Sequence, residues 1–174
     1  MTATTSSASA ASASLRSTQI AAALIVAVAG AGTLAGAWYF QLVVGLAPCP
    51  LCLEQRIPYY VGVPVALLAV ICAAGGKAPL ARVALGLTGM LMALAATLAV
   101  YHAGVEWGFW AGPTACSGSG PALTTGNLLE GLQQARVARC DEAPWRLFGL
   151  SLAGYNAFIA AALTLVAMRG AMAR

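Results

Sequence analysis

Four long apolar stretches divide the chain, and charged residues are confined to the joints between them. The first lies within Gln19 to Leu46, and no charged residue occurs between Arg16 and Glu54. The second runs from Ile57 to about Gly76, the third from Val83 to Ala103, and the fourth from Leu147 to Met168. Crossing roughly 30 Å of hydrocarbon takes about 20 apolar residues in helical form, so each stretch predicts a transmembrane helix over 19–46, 57–76, 83–103 and 147–168. All four are rich in Ala, Leu, Val and Gly, the composition of helices that pack closely in lipid. The expected fold is an all-α membrane protein, a four-transmembrane-helix bundle covering residues 18–170.

The joints differ in kind. Residues 1–17, an Ala/Ser/Thr tail without apolar periodicity, are expected to be disordered. The small-residue triplet Ala35 to Ala37 resembles a signal-peptide cleavage site. However, the apolar run before it is longer than the usual h-region of about 7–15 residues and continues past it, so an uncleaved first span is expected. "GGKAPLAR" joins spans two and three as a short hairpin. The one long connection, residues 104–145, carries Trp107, Phe109, Trp110 and Trp145 near its ends, rings suited to the headgroup layer. Within it, "TTGNLLEGLQQARVARC" predicts a short helix. Asn127 and Glu130 have the spacing of a capping box, and an approximate apolar stripe runs through Leu128, Leu129 and Leu132. Such a helix either lies on the bilayer surface or packs on the spans.

Composition settles the solvent. Of 174 residues, 60% are hydrophobic and 8% charged, against roughly 25% charged in soluble domains, so lipid must cover most of the surface. The net charge of +4 therefore reports topology, and no nucleic-acid partner is expected. With four spans, Arg16, Lys77, Arg82, Arg169 and Arg174 share one side. All five acids, with Arg136, Arg139, Arg146 and Arg56 at a helix mouth, share the other. Short basic segments mark the cytoplasmic side, which places both termini there.

The chemistry is concentrated in "PCPLCLEQRIPYY", residues 48–60. Of five cysteines, Cys49, Cys52, Cys116 and Cys140 fall on the non-cytoplasmic side and Cys72 inside span two. Cys72 reads as a small buried apolar residue. An even number in an oxidising compartment is a disulfide signature. Cys49 and Cys52 form a CxxC at a helix start, where main-chain amides favour a thiolate. Cys116 and Cys140 flank the loop helix and make the natural second pair. Their polar surroundings lead us to expect sulfurs open to a partner. Inert stapling is the competing reading, although joining residues three apart restrains little chain. A Cys₄ zinc site would need a second closely spaced pair, so no metal is expected.

Arg56 follows Cys52 by four residues and shares its helix face, with Tyr59 and Tyr60 one turn on. An ionisable residue within a span is costly to bury and marks function, unless it merely snorkels to the headgroups. His102 lies at a similar depth at the outer end of span three, where it is either structural or part of the same site. A guanidinium beside a thiolate stabilises the sulfur and can hydrogen-bond a carbonyl oxygen that gains charge. A lipid-soluble dicarbonyl acceptor, a quinone, fits that pair.

"CPLCLEQR" followed by "YYVG", with a Cys pair in one outer loop and four spans, resembles the disulfide bond formation protein B (DsbB) family, from span one to span four. The resemblance implies an inner-membrane protein-disulfide:quinone oxidoreductase. Its partners would be a periplasmic DsbA-like thioredoxin-fold protein, which it reoxidises, and the lipid-borne quinone pool, ubiquinone or menaquinone. It implies that Cys49 and Cys52 pass electrons to quinone, with Cys52 against the quinone ring and Arg56 and His102 holding it. Cys116 would be attacked by the partner, with Cys140 its disulfide mate. Gln55 stands where many members have Glu. A vitamin K epoxide reductase-like oxidase is the rival enzyme, but there the loop pair usually precedes the CxxC. A membrane scaffold with structural disulfides is the non-enzymatic rival.

Overall fold

A computed structural model describes residues 3–113 and 139–173. Helix α1 runs Ala3–Leu42, α2 Pro50–Glu54, α3 Ile57–Ala74, α4 Ala78–Glu106 and α5 Leu152–Met172. A two-stranded hairpin, β1 Arg146–Leu147 and β2 Leu150–Ser151, precedes α5. Among the described residues, four helices are long and apolar enough to cross a membrane. The helices close a ring in which α1 packs on α3, α3 on α4, α4 on α5 and α5 back on α1.

Small residues set how closely the ring closes. Ala23, Ala66, Ala69, Ala95, Ala160 and Ala167 are buried in clusters with Tyr59, Leu85 and Met92. A Cβ on Gly170 would lie 2.6 Å from the Ala22 Cβ, and one on Gly62 would lie 2.6 Å from the Met92 Cε. Large apolar residues instead face outward, Val28, Ile71, Val83 and Leu165 among them. This is the inversion that a lipid solvent permits. At the basic end, Arg16 donates to the Ala74 carbonyl at the end of α3, and Arg82 donates to the Ala173 carbonyl at 2.8 Å. Both cations meet the negative pole of a helix.

Several boundaries differ from the sequence expectation. Helix α1 begins at Ala3, inside the segment expected to be disordered. Alanine has the highest helix propensity, and extending a helix already nucleated by the span costs little. The fourth span begins at Leu152, five residues after Leu147. Phe148 and Gly149 take positive φ values of 50° and 84°, which makes a tight hairpin turn in place of a helical start. Ser151 then caps α5, its hydroxyl accepting from the Gly154 amide at 3.1 Å. The short helix expected within 104–145 falls on residues 114–138, outside the described residues.

The close approach at Gly170 generates a prediction. Gly170→Val lowers thermal stability in detergent by about 1–3 kcal/mol through overpacking. Gly86→Ala, where an added Cβ meets nothing within 4 Å, leaves the melting temperature unchanged or raises it.

Candidate active site at the outer mouth of the bundle

The site begins with a helix that starts, stops and restarts. Cys49 is the N-cap of α2, in extended conformation, and its sulfur accepts from the Cys52 amide at 3.2 Å. Pro50 follows at the first helical position, where its missing N–H costs nothing. Pro58 then cannot donate to a preceding carbonyl, and the helix breaks at Gln55 and Arg56 before α3 resumes. The break turns Cys52, Gln55 and Arg56 inward at one level.

The Cys49 and Cys52 sulfurs lie 2.6 Å apart, and both residues are free cysteines. The hydrogen bond to the Cys52 sulfur, followed by burial, pushes the Cys49 thiol well above the usual thiol range. His102 Nε2 stands 3.6 Å from the Cys49 sulfur. The two sulfurs and a His102 nitrogen lie within 4.8 Å of one another, a donor set that a soft divalent metal accepts in other proteins.

Arg56 does not snorkel. It is 9% exposed and turns toward α1, donating to Gln41 Oε1 at 2.7 Å and the Ala37 carbonyl at 3.5 Å. Its guanidinium carbon lies 5.5 Å from the Trp38 ring centroid, within cation–π range. Trp38 is held in turn by its Nε1 donating to the Tyr60 hydroxyl at 3.0 Å.

A cavity of about 640 Å³ opens between α1, α3 and α5 beneath this arginine. Cys52, Arg56, Gln41 and His102 stand in its wall, with Phe40, Trp145 and Ile159 among its apolar lining. Gly32 and Gly36, four apart on α1, line it too, and a Cβ at either would meet nothing within 4 Å. An apolar cradle ending in a guanidinium and a thiol fits a quinone: apolar walls for the ring and tail, one cation for a carbonyl oxygen. A second cavity of about 530 Å³ lies on the outer side, lined by Gly45, Cys49, Arg139, Glu142 and Pro144. Cys52 and His102 line both cavities.

Cys140 corrects the sequence reading. Expected to be open to a partner, it is fully buried and packs with Cys49, Leu51 and Val105. It is disulfide-bonded, and its main chain hydrogen-bonds His102. The polar residues around it in sequence face outward, with Arg139 and Asp141 pairing at 2.6 Å on the exposed surface. That leaves the cysteine itself pointing down onto the helix mouth. Cys116 lies outside the described residues. Cys72 is buried beside Ala73 and Ala81, as a small apolar residue would be.

Sequence reasoning did not anticipate Gln41, Asn156 or Glu106 at the site. Each is a single polar residue in or ending an apolar run, which is itself the signal. Glu106 is one turn beyond His102, with Oε1 3.8 Å from Nε2.

A model of the family "Disulfide bond formation protein DsbB" matches residues 19–169, all but the two ends of the chain. The chain belongs to the DsbB family. It is thus a multi-pass membrane oxidoreductase of disulfide-bond formation. Comparison with curated proteins and with solved structures yields no match.

Unequal exposure of the two CxxC residues predicts their order of reaction. After reduction, a small membrane-permeant alkylating reagent modifies Cys52 before Cys49, which is 3% exposed, as read by mass spectrometry of quenched time points. Labelling of Cys49 first, or of both at one rate, would contradict this geometry.

Proposed function

We propose that this DsbB-family chain is an inner-membrane protein-disulfide:quinone oxidoreductase that reoxidises a periplasmic DsbA-like dithiol protein. The observation that carries the reading is the placement of Cys52. It lines both an apolar cavity walled by Arg56 and an outer cavity floored by Cys49. A thiol pair at such a junction can exchange with a protein on one side and serve a lipid-soluble acceptor on the other.

In the proposed relay the partner's thiolate attacks Cys116 and leaves as a disulfide, reducing the Cys116–Cys140 pair. Burial of Cys140 against Cys49 supports exchange from that pair to the CxxC. The cavity walls with Arg56 would hold a quinone, which would supply the final acceptor for two electrons and two protons. The chain's own part is positional. Arg56, fixed by Gln41 and Trp38, offers its remaining donors to an oxygen that gains charge. Apolar walls exclude water from Cys52. The basic end formed by Arg16, Lys77, Arg82 and Arg169 supports cytoplasmic termini and a periplasmic active-site end. A quinone pool can hold so oxidising a partner as DsbA, at about −120 mV, in its disulfide form, the general behaviour of the DsbA–DsbB couple.

Cys116→Ser abolishes oxidation of a reduced thioredoxin-fold partner, while quinone reduction by a small dithiol through Cys49 and Cys52 survives; loss of both activities would overturn the relay order. Gly36→Leu, which fills the cradle, raises the quinone KM at least about tenfold, the worth of about 1.4 kcal/mol, and leaves alkylation of Cys52 intact. Protein purified in detergent that contains no extractable quinone, and whose reduced cysteines are not oxidised by added quinone, would refute the acceptor.

A further inference from the structure

A polar chain crosses the bundle beside the CxxC, and its direction can be read atom by atom. The Tyr59 hydroxyl donates to Asn156 Oδ1 at 2.7 Å, and Asn156 Nδ2 donates to Gln55 Oε1 at 2.8 Å. Gln55 Nε2 lies 2.7 Å from His102 Nδ1. An amide can in principle be turned end for end, which would reverse every bond in such a chain. The Leu51 carbonyl forbids it here: it accepts from Gln55 Nε2 at 3.2 Å, and a reversed amide would set two oxygens against each other. Gln55 therefore presents an N–H to His102, and Nδ1 must be the accepting nitrogen.

The groups on the other side of the ring are compatible with that assignment. Nε2 faces the Cys49 sulfur at 3.6 Å and Glu106 Oε1 at 3.8 Å, and the ring also bonds the Cys140 main chain. The Gln55 N–H on Nδ1 selects the tautomer, and the sulfur and carboxylate near Nε2 can accept from it.

We infer that Gln55, anchored by Leu51, Asn156 and Tyr59, is a positioning residue that locks His102 with its proton on Nε2, making the imidazole a hydrogen-bond donor to Cys49. The inference deepens the proposed thiol chemistry and rests on that reading for its consequence, though not for the tautomer itself. His102 in this state is not the base that takes the Cys49 proton. When an S–S bond to Cys49 breaks, the bonding pair stays on one sulfur, and the Nε2–H is aimed at the Cys49 lone pairs to stabilise charge there. The same lock withholds the lone pair that a metal on Nε2 would need, since a metal-bound histidine carries its proton on the other nitrogen. A glutamate at position 55 would act oppositely, accepting from Nδ1–H and turning Nε2 into an acceptor or ligand.

His102 is the only histidine in the chain, so its tautomer can be read without assignment. In detergent-solubilised full-length protein labelled with ¹⁵N-histidine, the imidazole resonances should show a protonated Nε2 and a bare Nδ1. Gln55→Glu should protonate Nδ1. It should also shift the Cys49–Cys52 equilibrium with glutathione (disulfide plus two thiols giving dithiol plus oxidised glutathione) about threefold or more toward the disulfide, the usual worth of a hydrogen bond to a neutral group. Tyr59→Phe, which removes only the outermost hydroxyl, should keep the parent tautomer, because Leu51 still orients Gln55. A protonated Nδ1 in the parent, or a bare Nδ1 in Gln55→Glu, would overturn the lock. An unchanged glutathione equilibrium alongside the expected tautomer switch would overturn the donor role toward Cys49. Failure of quinone reduction would count against the proposed acceptor and leave the tautomer result standing.

Discussion

A polar group inside an apolar bundle must find its partner within the protein, because lipid offers none. Arg56 is the severest case, since a guanidinium at depth costs about 2.5–3.5 kcal/mol even on lenient insertion scales. Its answer is local: an amide oxygen from Gln41, a main-chain oxygen from Ala37 and the face of Trp38. All three come from one segment of α1. That demand brings α1 against the break between α2 and α3, and the cavity forms where Gly32 and Gly36 fall short of filling the space below. The fold thus has two regimes. Toward the basic end, alanines and glycines let the helices close. Toward the other, a layer of polar side chains holds them at fixed distances and leaves room between.

How far this was legible beforehand follows from the same physics. An arginine or a histidine at the end of an apolar run stands out because hydrocarbon makes it costly, and a CxxC beside it supplies the chemistry. Arg56, His102, Cys49 and Cys52 therefore stand out in the sequence as candidates, and the four spans were readable. Gln41 and Asn156 were harder. Each is one neutral polar residue in a long apolar helix, and whether it faces lipid or the interior depends on helix rotation. Packing of small residues sets that rotation, and alanine-rich helices show almost no apolar periodicity to betray it. The start of α5 was misplaced for a related reason. Phe148 and Leu150 are apolar enough to continue a span, and only the positive φ at Phe148 and Gly149 shows that the chain turns there.

Cys140 illustrates a different limit. Its neighbours Arg139, Asp141 and Glu142 argue for a wet loop, and they are indeed exposed. Composition describes the average of a segment, however, and in an irregular segment one side chain can point opposite to the rest. Here the inward one is the sulfur, packed on Cys49 and Leu51. Burial at this point shields the Cys140 sulfur and, in the proposed relay, would favour exchange with the neighbouring CxxC.

Two environments meet at a pair of residues, and this bears on how electrons could be moved without leakage. The outer cavity carries Arg139 and Glu142, whereas the inner one is walled by Phe40, Leu152 and Ile159. Water and soluble thiols suit the first and a lipid-soluble acceptor the second. Cys52 and His102 belong to both, with Cys49 behind them on the outer side alone. A disulfide between residues three apart needs only side-chain movement to form and break, so transfer across the partition requires no opening of the bundle. Direction must then come from chemistry. In the proposed relay Arg56 would favour charge on the inner side and the inferred imidazole N–H would favour it on Cys49, so the two donors would compete over which sulfur of the pair carries the negative charge.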